Sequence, residues 1–244
     1  MRIHQLRAKV KESKSLQIAI ALMIAVIAFI YLKTFFTPGI HFEGTFLTKQ
    51  DENTSETHYI GRSLSRDIQI SVIRKTEKST EVIYDLPYDF HRQYTVTVED
   101  RSEHWQDNIK IDDEQGNILF EGGYLEDQFY LTQKNGEPLM EDFINFHINS
   151  SPFTVEYKVS LRHVADMAFF ANDTIRGDFM FLVLSLFLFL VTAIDYKFPL
   201  FFFHLRNSLD VRDPEPSDFY LFMQRVSWIV LPIIGVILAI VAIV

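Results

Sequence analysis

Six of the eight histidines of this 244-residue chain (His41, His58, His91, His104, His147 and His163) fall within residues 37–177, a stretch that also holds most of the carboxylates. Imidazole and carboxylate groups bind divalent metals and move protons near neutral pH. Their spacing here selects neither chemistry, because no H-x-H or H-E-x-x-H pattern occurs. Asp107, Asp112 and Asp113 invite a calcium loop, but Asp112-Asp113-Glu114-Gln115-Gly116 lacks the alternating oxygen ligands of an EF-hand and reads as a solvated hairpin tip. A G-x-S-x-G elbow, an S-x-x-K pair, a P-loop and a G-x-G-x-x-G turn are all missing from the sequence. With no cysteine, thiolate metal sites, disulfides and a cysteine nucleophile are excluded. The sequence nominates no catalytic residue, no cofactor and no metal-ligand set. Asn53-Thr54-Ser55, Asn149-Ser150-Ser151 and Asn172-Asp173-Thr174 match the glycosylation acceptor pattern, which matters only in a host that glycosylates.

The elements that must position these groups are set by where the apolar residues lie. They gather in three blocks, near residues 16–36, 179–203 and 226–244, and the stretch between the first two reads as an ordinary polar globular sequence. Residues 16–32 carry no charge, and at about 1.5 Å per residue the run through Phe36 crosses a hydrocarbon core of roughly 30 Å. The run is long for the core of a signal peptide and no small-x-small site follows it, so we read an uncleaved anchor. In the second block Pro199 is expected to end or kink the helix. The third opens with Trp228 as an interfacial anchor. The expected organisation is a basic cytoplasmic tail over 1–14, spans over 15–36, 178–203 and 226–244, a domain over 37–177, and a cytoplasmic loop over 204–225.

Orientation follows from the basic residues near the span ends. Residues 1–14 and the 195–225 loop together hold nine Lys and Arg, against three (Lys49, Arg162, Arg176) beside the spans in the intervening domain. The tail and loop are therefore expected in the cytoplasm, with residues 37–177 outside the plasma membrane and the C-terminus at the outer face. The outer domain carries 13 Lys and Arg against 25 Asp and Glu, a net charge of −12, which repels nucleic acid.

Within that domain, period-2 alternation recurs at Ile68-Gln69-Ile70-Ser71-Val72, Tyr94-Thr95-Val96-Thr97-Val98, Ile109-Lys110-Ile111 and Phe153-Thr154-Val155-Glu156-Tyr157-Lys158-Val159. Turn signals fall at Glu114-Gln115-Gly116-Asn117 and Lys134-Asn135-Gly136-Glu137. Helical spacing marks Leu139, Phe143 and Phe146, and again Val164, Met167 and Phe170. The expected fold class is an α+β membrane protein, with three transmembrane helices and a mainly β domain, sandwich- or barrel-like, between the first and second.

No charge or histidine sits in the middle of a span, since Asp195, Lys197 and His204 lie at or beyond one end of the second. A self-contained transporter or pump normally needs such groups inside. Ala19, Ala21, Ala25 and Ala28 in the first span, and Gly235-x-x-x-Ala239 in the third, could let helices approach closely. In Val211-Arg212-Asp213-Pro214-Glu215-Pro216-Ser217-Asp218-Phe219-Tyr220-Leu221 the two prolines forbid a helix up to Pro216. Ser217 can cap the next helix, and Asp218 suits its positive end. The expected helix runs through Tyr220, Met223 and Arg225 into the third span. Arg212, Asp213, Glu215, Ser217, Asp218 and Tyr220 form a candidate docking loop, or simply a rigid turn and cap.

This loop, its Phe-rich approach and the final Ile/Val-rich span resemble a family of small two-helix membrane proteins of Gram-positive bacteria, whose shared mark is an E-P-S-D-x-Y loop matched by Glu215, Pro216, Ser217, Asp218 and Tyr220. The resemblance covers residues 178–244 and implies membrane insertion but no reaction. Three functional readings remain. The first is a non-enzymatic membrane protein whose outer domain binds a partner, as an accessory or regulatory subunit or a protective surface factor. The second is an envelope sensor signalling through a partner, and the third an envelope enzyme acting through outer carboxylates. The expected partners are the lipid bilayer and a membrane protein or a second copy of the chain.

Overall fold

A computed structural model describes residues 14–63, 65–101, 107–139, 153, 157–207 and 215–243. Two compact units emerge, one of residues 38–175 and one of residues up to 37 together with those from 176 onward.

The first unit is built on one antiparallel sheet. Its strands are β1 (Pro38–Phe42), β2 (Thr45–Asn53), β3 (Glu56–Ser63), β4 (Arg66–Arg74), β5 (Ser79–Leu86), β6 (Phe90–Arg101), β7 (Asp107–Asp113), β8 (Ile118–Tyr124), β9 (Thr132–Gln133) and β10 (Thr174–Ile175). They lie in the order β10-β1-β2-β3-β4-β5-β6-β7-β8-β9. Among the described residues short links pair each strand from β1 to β8 with the next, and β10 returns from far along the chain to β1. The mainly β domain is thus, among the described residues, one large continuous antiparallel sheet with β10 and β9 at its edges. The links after β1, β3, β5 and β7 all fall at one end of this sheet, while the chain enters at Pro38 and leaves at Ile175 at the other.

Alternation decides the faces. Ile70, Tyr84, Val96, Ile111 and Phe120 are buried, and the pairings Ile70↔Tyr84, Val96↔Ile111 and Ile111↔Phe120 line them up on one side. The first span is helix α1 (Lys14–Phe35), and helix α2 (Leu161–Phe169) packs on the buried side of the sheet. Ser160 caps α2 by accepting from the His163 N–H at 3.3 Å, and Phe170 ends it in the left-handed region at φ 57°. Val164, Ala165, Met167 and Ala168 are its buried face, and burying side chains such as Val164 and Met167 contributes about 1.5–3 kcal/mol each. The helical spacing of Val164, Met167 and Phe170 is therefore realised as a helix with its cap.

The strand expected at residues 153–159 does not form at the described positions. Phe153, Tyr157 and Val159 are buried, and the described residues 153 and 157–160 lie outside the strands of the sheet. Their rings pack instead, Phe153 on Phe42 at 6.2 Å and Tyr157 on Phe90 at 5.5 Å. Alternation here records burial rather than pairing. Phe143 and Phe146 lie outside the described residues.

Among its described residues the second unit has three helices long and apolar enough to cross a membrane: α1, α3 (Phe179–Lys197) and α5 (Asp218–Val241). The second span is shorter than the expected 178–203. Pro199 follows the helix end, Leu200 takes φ 73°, and the apolar run resumes as the short helix α4 (Phe201–Asn207). Ser217 caps α5 by accepting from the Tyr220 N–H at 3.2 Å, so the helix does begin at the expected residue and runs unbroken into the third span. α1 meets α3 at one end, where the Phe35 and Phe179 rings stand 5.1 Å apart and Gly177 donates to the Phe35 carbonyl at 2.8 Å. A Cβ on Gly177 would fall 2.3 Å from the Phe35 ring, so the close approach requires glycine.

Candidate functional site

The polar groups of the sheet domain are held by specific elements. On α2, Arg162 lies 2.7 Å from Asp166 one turn away and donates to the Leu125 and Glu126 carbonyls at 2.8 and 2.9 Å. Asp166 also accepts from the Tyr124 hydroxyl at 3.0 Å and the Asn172 amide at 3.3 Å. Burial raises the Asp166 carboxyl above its usual range, and the Arg162 charge works against that shift. The same burial, together with the Asp166 charge, pushes the Tyr124 phenol well above its ordinary value. The cluster bolts α2 to β8. Asn172, one of the glycosylation matches, is engaged inside it.

A second cluster joins β2 and β3 to the stretch after α2. Lys49 meets Asp173 at 2.5 Å, and the Tyr59 hydroxyl donates to the other Asp173 oxygen at 2.6 Å. Burial first, and Asp173 second, hold the Tyr59 phenol far above its usual range. His163 supplies a third. Its Nδ1 shares a hydrogen bond of 2.8 Å with the fully buried Tyr84, and its ring lies 4.8 Å from Phe42. Although part of the residue reaches the surface, Nε2 is buried and has no hydrogen-bond partner among the described residues. Desolvation lowers the His163 pKa to about 4, so the ring is neutral.

The other described histidines of the sheet domain have separate partners. His41 packs on Phe46, His58 bonds Ser71 at 2.9 Å, and His91 meets Asp85 at 2.5 Å; His104 and His147 lie outside the described residues. No group of three metal-binding side chains occurs among the described residues. Asp113 closes the 114–117 turn by accepting from Gln115 and Asn117 backbone N–H groups at 3.0 and 2.8 Å and from the Asn117 side chain. These bonds, the Asn117 side chain foremost, hold its carboxyl below the usual range.

In the helical unit α3 and α5 form an antiparallel pair tied at three depths in one register. At one end Asp178 donates its N–H to the Ala242 carbonyl at 2.8 Å, and midway the buried Ser185 hydroxyl donates to the Gly235 carbonyl at 2.8 Å. At the other end Asp195 accepts from the Gln224 amide at 2.9 Å and the Trp228 indole at 2.7 Å. Asp195 and Gln224 are each 8 % exposed. The sequence placed Asp195 at a span end and Trp228 as an interfacial anchor. It missed their pairing, whose only signal was a carboxylate and a glutamine in adjoining apolar helices.

Of the candidate docking loop, Arg212 and Asp213 lie outside the described residues. Glu215, Ser217 and Asp218 are exposed, Ser217 being occupied as the cap. Tyr220 is half-buried, with its ring 5.0 Å from Phe203. The sequence motif therefore divides into a structural cap and an acidic exposed rim. No curated protein and no solved structure matches the chain. Residues 184–242, which take in most of α3, the loop and α5, match a family of unknown function (DUF6199).

Proposed function

We propose that this is a non-enzymatic integral protein of a Gram-positive cell membrane, with α1, α3 and α5 as spans and the acidic sheet domain outside, where it binds a partner protein as an accessory or regulatory subunit. The excess of Lys and Arg beside the tail and loop supports that orientation.

The observation that carries the reading lies at the end of the sheet opposite Pro38 and Ile175. There the β5–β6 link places Tyr88 and Asp89 at φ 67° and 57°, a left-handed pair that costs on the order of 1–3 kcal/mol per residue without glycine. This turn holds the Tyr88 ring 56 % exposed, with the Arg66 guanidinium 4.0 Å above it. Ile118 and Leu119 are exposed beside the 114–117 turn at the same end. Tyrosine and arginine are the residues most enriched at interface centres, and this end presents both in fixed positions. The buried Arg162 and Asp166, by contrast, are engaged in holding α2 to the sheet.

Co-purification tests the reading. Full-length protein at native expression in mild detergent is expected to bring down one stoichiometric partner, and Tyr88→Ala with Ile118→Ser to lose it without losing the fold. Repeated recovery of the protein alone, or a partner indifferent to these changes, would count against it.

A further inference from the structure

Near the Lys197 end of α3 and the Asp218 end of α5, the helix pair leaves a cavity of about 350 Å³. That is within the roughly 300–1,000 Å³ of small-molecule sites. Val191, Phe202, Met223 and Leu231 make its walls apolar, and Asp195 with Tyr220 supplies the polar end. The Asp195 carboxylate is buried, and both its hydrogen-bond donors, Gln224 and Trp228, are neutral. No cation comes within ion-pair distance of it among the described residues, and the nearby Lys197 ammonium lies over the Phe198 ring instead, 5.4 Å from its centre. A carboxylate offers about four lone-pair positions, so two remain after the amide and indole are served. A buried anion without a countercharge is costly.

Depth adds a second constraint. With Phe179 at one edge of a hydrocarbon core of roughly 30 Å, Asp195 lies about 24 Å along α3, just inside the other edge and within reach of lipid headgroups. An apolar cavity at that depth with one unmatched carboxylate fits an amphiphile whose head is a cation with N–H donors. We infer that the cavity binds a phospholipid with a primary ammonium headgroup. The ammonium sits on Asp195, and the upper acyl chain lies along Val191 and Leu231. A headgroup with only phosphate and hydroxyls meets repulsion from the carboxylate, and a quaternary ammonium brings no N–H donor.

The test is native mass spectrometry of the full-length protein released from nanodiscs containing equal phosphatidylethanolamine and phosphatidylglycerol. One retained phosphatidylethanolamine per chain is expected, favoured roughly tenfold, the worth of one charge-assisted hydrogen bond. Asp195→Asn keeps the acceptor for Gln224 or Trp228 and is expected to erase the preference. Val191→Phe fills the cavity, leaves the carboxylate, and is expected to lose the lipid altogether; it decides the matter if Asp195→Asn fails to fold. Equal retention of the two lipids by the native protein overturns the assignment, as does a preference unchanged in both variants. Loss of a stoichiometric protein rather than a lipid from Asp195→Asn also overturns it, giving the carboxylate to a partner's cation.

Discussion

The Ser185 hydroxyl donates to the Gly235 carbonyl at 2.8 Å in the middle of the α3–α5 pair, where the two backbones come close enough that a Cβ on Gly235 would stand 3.1 Å from the Phe189 ring. The pair is therefore held at its centre by one hydrogen bond and by the absence of one methyl group. Gly235→Val is expected to force the helices apart and cost about 1–3 kcal/mol, against roughly 0.6 kcal/mol for Ser185→Ala. Thermal unfolding in detergent checks both, and a Gly235→Val protein as stable as the native one would refute the close packing.

Arg162 and Asp166 pair one turn apart on α2 and tie it to the end of β8 through the Tyr124 hydroxyl and the Leu125 and Glu126 carbonyls, so removing one partner strands the other. Asp166→Ala is expected to cost about 3–5 kcal/mol, with Arg162→Ala adding less than its own separate effect when combined with it. Denaturant unfolding of the single and double variants measures the coupling. Strict additivity would show that the two side chains do not act together.

His163 gives the sheet domain a pH dependence of definite sign. Its pKa is about 4 in the fold and near 6.5 in the unfolded chain, so between those values the unfolded state binds the extra proton. Stability contributed by the neutral ring is complete above about 6.5 and falls away as the pH drops toward 4, by on the order of 3 kcal/mol. Asp166, whose carboxyl is raised in the fold, works in the opposite direction on acidification. The readout is therefore the difference between the native protein and His163→Gln, which keeps a partner for Tyr84. The variant is expected to lose stability less steeply between pH 6.5 and 4, and parallel curves would remove the assignment.

Much of this was legible in the sequence because it rests on one-dimensional patterns. The three apolar blocks, the cap at Ser217, the stop at Pro199 and the Asn-Gly turn each follow from the residue itself and its neighbours. The single sheet was not legible, because alternation fixes which face is buried and leaves open whether facing residues come from a second sheet or from a helix such as α2. The described positions 153 and 157–159 are buried outside the strands for the same reason. The Asp195–Gln224–Trp228 group escaped because it joins residues of two helices whose register was unknown, and Arg66 meets Tyr88 only through the pairing of β4 with β5.

The absence of cysteine makes orientation directly measurable. Asn135→Cys, at an exposed turn of the sheet domain, is expected to react with a membrane-impermeant maleimide on intact cells, and Glu215→Cys only after permeabilisation. The reverse pattern would invert the proposed topology.

Partner binding by the end of the sheet that carries Tyr88 is the central claim, and photo-crosslinking in living cells tests it most directly. A photoreactive residue replacing Tyr88 is expected to yield one discrete adduct with a membrane or envelope protein that the same residue at Asn135 does not give. Identical adducts from both positions, or none from Tyr88 at native expression, would contradict the account.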